Sequence, residues 1–323
     1  MRNDTLEPLD VDGLICVEPP YFALRDLSRV APGEIVADIP VEAPAGLQTT
    51  PLGISEIGRH LAIAGLCAAS TVNPRPGRHF YLARAARGRW HLSAAATAAL
   101  AAEGLTVRAR AGFPAPRRAA AETALHAADG TLLATLDVEY DVMTRGVFAR
   151  VVGEPVPDVP AAANPYARAL PLEDLTVRGG HGSARLAVTP GMCPGHFAGH
   201  PVLPVATLSS GMTALVDAAV AARGTGARWR PVTWWLSAEK LAHAGQTVVF
   251  EGVVEHAAED PKGAMGAAGA LATFRGTARV GAETVAEGGV ELVLVGEGAP
   301  PGAPWEAPGE DAAAYGPLPV QRF

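Results

Sequence analysis

Apolar residues recur at helical spacing over GISEIGRHLAIAGLCAASTV (residues 53–72) and again over ATLSSGMTALVDAAVAA (206–222), predicting one long apolar helix in each half of the chain. Around each helix the pattern shortens to the two-residue alternation of half-buried strands. GEIVADIPVE and SARLAVTP precede the helices. RHFYLARAARGRWHL, LTVRARAGF and AETALHAADGTLLATLDVEYDVM follow the first, and RWRPVTWWLSAEKL, QTVVFEGVVEH, ALATFRGTARV and TVAEGGVELVLV follow the second. Asp129-Gly130 is a strong hairpin-turn signal, and Gly281 sits at the matching place in the second half. Order and spacing therefore repeat: strand signals, a helix, then about four strands. The pattern predicts an α+β chain of two similar units, each a single helix wrapped by an antiparallel sheet.

Four prolines in ARVVGEPVPDVPAAANPY (149–166) read as a linker, and the chain from about 297 onward is rich in Pro, Gly and Ala. The expected division is thus 1–150, 151–296 and a tail of 297–323. The loop before the second helix, GMCPGHFAGHPVLPVATLSSG (191–211), places two histidines, two glycines and three prolines between Pro194 and Pro204. Each proline fixes φ and removes a donor, and each glycine permits close approach, so this loop is built to hold something still.

That loop carries a resemblance. GHFAGHPVLP (195–204) resembles the signature loop of the hotdog-fold β-hydroxyacyl thioester dehydratases, and EPPYFALRDLSRVAPGEIVADIPVE (18–42) and WWLSAEKLAHAGQTVVFEGVV (234–254) resemble other strands of that family. The resemblance covers both halves in outline and is sharp over 190–205. It implies a double hotdog, with an N-terminal unit (1–150) supplying Glu56 and a C-terminal unit (151–296) supplying the loop of His196. His196 falls on the family's catalytic histidine. The family's acid would fall fourteen residues later, where Ser210 stands, whereas the first helix offers Glu56, with His60 four residues on, and the loop before it (41–51) has no histidine. One composite site of His196 and Glu56 is the arrangement this complementary loss implies.

For dehydration, an imidazole with an ordinary value near 6.5 would serve as base and a desolvated Glu56 as acid. The resemblance places oxyanion donors near the start of the first helix, at Leu52 and Gly53, since Pro51 has no N–H. His60, placed to orient Glu56, and His200 join Leu52 and Gly53 as candidate substrate- or oxyanion-binding residues. His200 lines up with His196 as a metal pair only on paper, because Gly199 and Pro201 exclude a helix through them; no metal site is expected. Ala198, Val205 and Ser210 depart from the family pattern. The resemblance implies no cofactor beyond a phosphopantetheine arm carried by the substrate.

Net charge is −7, which argues against nucleic acid as a partner. Only two of the 26 basic residues are lysine, and five arginines, Arg75, Arg78, Arg84, Arg87 and Arg89, lie within fifteen residues. Arg84, Arg87 and Arg89 are the candidate dock for an acidic acyl carrier protein; a solvated surface is the plainer reading of each. Three widely spaced cysteines make no disulfide framework, and no apolar run is long enough to span a membrane, so the expectation is a cytoplasmic protein. The function expected is a hydro-lyase acting on a β-hydroxyacyl thioester of acyl carrier protein or coenzyme A, in fatty-acid or polyketide-type metabolism. The alternatives are a hotdog thioesterase or acyltransferase of specialised metabolism, or a non-catalytic subunit that binds acyl chains or carriers. A monomer of two hotdogs and a homodimer both remain open.

Overall fold

The computed structural model describes residues 6–91, 104–156, 163–224, 226–256 and 271–295. The first half contains β1 (Glu7–Pro8), β2 (Arg25–Ala31), β3 (Glu34–Ile39), α1 (Ile54–Ser70), β4 (His79–Trp90), β5 (Leu105–Ala115), β6 (Arg118–Ala127), β7 (Leu132–Thr144) and α2 (Arg145–Val152). The second contains β8 (Glu173–Arg178), β9 (His181–Ala187), α3 (Val205–Ala221), β10 (Arg228–Ala238), β11 (Thr247–His256), β12 (Leu271–Val280) and β13 (Glu283–Val295). Both expected hairpins form, and Gly130 and Gly281 take positive φ at their turns, where a Cβ would strain the backbone. The tail lies outside the described residues.

Among the described residues, thirteen strands join one antiparallel sheet in the order β1-β2-β3-β5-β6-β7-β4-β10-β13-β12-β11-β9-β8. Matching β2, β3, β4, β5, β6 and β7 to β8, β9, β10, β11, β12 and β13 turns one half's strand order into the other's. The two halves meet where β4 pairs with β10, from Arg89 opposite Thr233 to Ala85 opposite Ser237. Internal duplication, visible in the sequence as a repeated pattern, is therefore a repeated topology. Among the described residues no helix is long and apolar enough to cross a membrane.

Each helix lies across its own half of the sheet. α1 is buried nearly all round, from Ile54 to Ser70, because it packs on β5 and β6 on one side and meets α3 on another. α3 buries the stripe of Leu208, Met212, Leu215 and Val216 against the sheet and turns smaller residues outward. Gly211 lets α3 approach β11 closely, since a Cβ there would collide with the ring of Phe250, which is fully buried. Gly211→Ala is expected to lower stability by about 1–3 kcal/mol despite the better helix propensity of alanine, measured by urea unfolding. A variant at least as stable as the parent would mean that the ring yields.

Two features escaped sequence reasoning. Strand β8 is short and mostly exposed, and α2 follows β7 without a break, so neither carries a clean period. Part of the expected linker is structured: α2 anchors Phe148, which is fully buried and stacks on Phe80 with ring centroids 3.8 Å apart.

Candidate functional site

A cleft of about 770 Å³ opens between the N-terminal parts of the two helices. Ser55, Glu56 and Arg59 of α1 face it, together with Gln48 and Gly53 from the loop that precedes α1. The opposite wall is one stripe of α3, with Ala206, Thr207, Ser210, Thr213, Ala214 and Asp217 at intervals of one, three or four residues. Segment 163–171, between the halves, closes a third side through Asn164, Tyr166 and Leu170. Site residues thus come from both halves, which need each other to form it.

Glu56 lies in the first turn of α1. Aligning the helix starts makes Arg59 the counterpart of Ser210, and Glu56 the counterpart of Thr207. Glu56 is buried and its carboxylate accepts backbone hydrogen bonds: Oε1 from the N–H of Glu42 at 2.6 Å and of Ala43 at 3.3 Å, and Oε2 from Ala43 at 3.3 Å. His60 Nε2 stands 3.6 Å from Oε1 in the i,i+4 relation the sequence predicts. Burial first, with the neighbouring Arg59 charge, pushes the His60 imidazole below its ordinary value, against the pull of Glu56, so it stays neutral.

His196 does not line this cleft. It is buried against Tyr21, edge-on at 4.9 Å between centroids, and stacks on Phe197 at 4.0 Å. Tyr21 in turn packs under the Arg59 guanidinium. Nδ1 bonds the carbonyl of Val202 at 3.1 Å, and desolvation lowers its value to about 4. The loop is held against the first half, as Glu18 N–H donates to Gly195 O at 2.7 Å. Among the described residues no hydrogen bond or ion pair joins His196 to Glu56. Tyr21 thus touches both the His196 ring and the Arg59 guanidinium, while Glu56 takes its hydrogen bonds from Glu42 and Ala43.

Of the remaining expected residues, Gly53 caps α1 and lines the cleft, whereas Leu52 is fully buried outside it. His200 sits edge-on to Phe148 and Phe80, away from the cleft. Arg87 and Arg89 project from the outer face of the sheet, opposite to the helices, and Arg84 falls at a bulge in β4. Arg87 has Asp137 as its cross-strand partner and Glu139 stands two residues away on β7, so that face is mixed in charge. Glu42, Glu56 and His60 bring ligand atoms within 4.8 Å of one another. Yet Arg59 Nη2 already ion-pairs with Glu42 and lies 3.3 Å from His60 Nε2, so a guanidinium fills the place of a cation.

Sequence reasoning missed Glu42, Gln48, Arg59, Asn164, Tyr166 and Asp217. Asp217 accepts from Trp229 Nε1 at 2.7 Å, and burial raises its carboxyl to about 6 against that bond and one from the Leu47 backbone. A raised carboxyl makes the folded state bind more protons than the unfolded chain between its ordinary value and about 6, so stability falls as pH rises through that window. Asp217→Asn is expected to remove this fall in unfolding free energies measured from pH 4 to 7. An unaltered pH profile would refute the raised value.

The α3 wall presents lone pairs. Ser210 Oγ donates to Ala206 O at 3.0 Å and Thr213 Oγ1 to Ser209 O at 2.9 Å. Ser55 Oγ, 3.0 Å from Thr213 Oγ1 and 2.9 Å from Ser209 Oγ, must then donate to Thr213 and accept from Ser209. These hydroxyl protons are spent within the protein, leaving acceptors toward the cleft.

No protein-family model matches the chain, and no curated protein matches it. Solved structures do. A tesB protein from Mycobacterium avium subs paratuberculosis superposes with a TM-score of 0.50 at 15% identity, over 83% of this chain and 95% of its own. A 12:0-ACP thioesterase from Umbellularia californica gives a TM-score of 0.50 at 9% identity, over 81% and 94%. The likeness shows a hotdog fold and does not single out the dehydratases. The expected hydro-lyase is corrected on this ground: the Umbellularia californica protein is named for a thioesterase activity, and a thioesterase is a hydrolase. The lyase, dehydratase and polyketide assignments fall with it.

Proposed function

We propose that the chain is a double hotdog that hydrolyses acyl thioesters of coenzyme A or an acyl carrier protein, with Glu56 as the general base. One observation carries this reading: a buried carboxylate, fixed by backbone N–H groups, faces a cleft that both halves build. Hydrolysis needs a water molecule oriented and relieved of a proton as it attacks the thioester carbonyl, and a positioned carboxylate does both. Partial positive charge at the α1 N-terminus favours the negative charge that then develops on the carbonyl oxygen. Gly53 borders that end of the cleft. His196 has no place in this scheme, and its role is structural. Supporting the reading is the hotdog likeness to an acyl-carrier-protein thioesterase.

The test is release of free thiol from a series of acyl-CoA and acyl-carrier thioesters, read with a thiol-trapping dye. Turnover of at least one series is expected. Tight thioester binding without any thiol release would overturn the hydrolase in favour of a binding subunit.

A further inference from the structure

We propose that Glu42 is a positioning residue through which docking of segment 163–171 sets the carboxylate of Glu56, an inference that rests on the hydrolase reading of that carboxylate. Glu42 follows β3 and acts in two directions at once. Its backbone N–H donates to Glu56 Oε1 at 2.6 Å. Its side chain accepts from Asn164 Nδ2 at 2.7 Å through Oε1 and ion-pairs with Arg59 through Oε2. Three stretches distant in sequence, at 42, 56–60 and 164–166, therefore converge on one residue.

Arg59 makes the convergence stiff. Its side chain is only 3% exposed, and Nε and Nη1 have no hydrogen-bond partner. Glu42 is thus the ion-pair partner of a buried guanidinium, whose remaining faces are covered by the rings of Tyr166 at 5.3 Å and Tyr21 at 5.9 Å. A buried cation without its carboxylate is strongly disfavoured, so the pair moves together or not at all. Tyr166 closes the circuit: its hydroxyl donates to Pro194 O at 2.9 Å, in the loop that holds His196, and its ring meets Tyr21 edge-on at 5.0 Å.

Segment 163–171 is half-exposed and lines the cleft beside Glu56; Tyr166 and Leu170 pack on the core, and Asn164 and Tyr166 bond to Glu42 and Pro194. A thioester entering past it must loosen the Asn164–Glu42 bond, and because one residue carries both that bond and the N–H on Glu56, loosening is felt at the reacting carboxylate. Reclosing over the bound substrate restores it. The segment then acts as a strap whose closure completes the site.

The discriminating variants invert one hydrogen bond. Asn164→Asp opposes two carboxylates and should release the strap without changing volume. Adding Glu42→Gln supplies an amide that can donate to the introduced carboxylate, which can also pair with Arg59. Hydrogen exchange of the peptide bearing the Glu42 and Ala43 amides is expected to speed up in N164D and to slow again in E42Q/N164D. In thiol-release assays, kcat is expected to fall about tenfold in N164D with KM changed far less, and to recover in the double variant. Unaltered amide exchange in N164D, or a loss that the double variant fails to reverse, overturns the coupling. E56Q separates the two readings: if it keeps the wild-type rate the hydrolase reading fails, whereas a dead E56Q beside a fully active N164D removes only the strap.

Discussion

Replacing Glu56 by glutamine is expected to lower free-thiol release by about 10²–10⁴-fold, the usual contribution of a positioned general base. The substitution is nearly isosteric. Its carbonyl oxygen can still accept from the Glu42 N–H, so folding and cleft shape should persist. What glutamine cannot do is take a proton from water. The loss should therefore appear in kcat, with KM little altered, because an interaction made only in the transition state is removed. His60→Asn offers an internal contrast: it deletes the neutral partner 3.6 Å from Oε1 but leaves the backbone donors to Glu56 in place, so a smaller loss is expected. An E56Q enzyme with wild-type kcat, its melting curve unchanged, would remove Glu56 from the chemistry.

The elements and their order were legible because each obeyed a simple period. α1 and α3 carry apolar spacing over whole turns, and Asp129-Gly130 marks its hairpin by the positive φ that glycine supplies. The location of Glu56 on a cleft shared by both halves was also readable, since a carboxylate in an otherwise apolar helix must find donors or face a cavity. Its partners were not. Arg59 in the same apolar helix signals a buried ion pair, but Glu42 is seventeen residues away and Asn164 lies in a proline-rich stretch that reads as a linker. Only the fold brings them together. The rigid loop before α3 does hold something still, and what it holds is His196 itself, packed against Tyr21 and Phe197. Local sequence reports that a side chain is fixed, and tertiary packing decides whether it meets a cavity or a wall.

Burial gives His196 a large expected effect on acid stability. Burial lowers its value from 6.5 to about 4, so the folded protein holds a neutral ring where the unfolded chain binds a proton. Between those two values the unfolded state binds more protons, and stability rises with pH. The contribution is complete above the ordinary value and is lost as pH falls from about 6.5 toward 4, amounting to about 3 kcal/mol at 1.36 kcal/mol per pH unit. Asp217 works in the opposite sense over part of the same range, so the wild-type profile is flatter than either group alone would give. His196→Gln keeps a donor for Val202 O and does not titrate; it should weaken the acid-side decline, to which the buried His60 still contributes, and unmask the fall toward neutral pH that Asp217 causes. His196→Gln combined with Asp217→Asn should keep a shallower acid-side decline, because the buried His60, also held below its ordinary value, still takes up a proton on unfolding. Urea unfolding across that range measures all four proteins, and a His196→Gln curve with the wild-type acid slope would mean that the imidazole is already protonated in the fold, open to water and not sealed behind Tyr21.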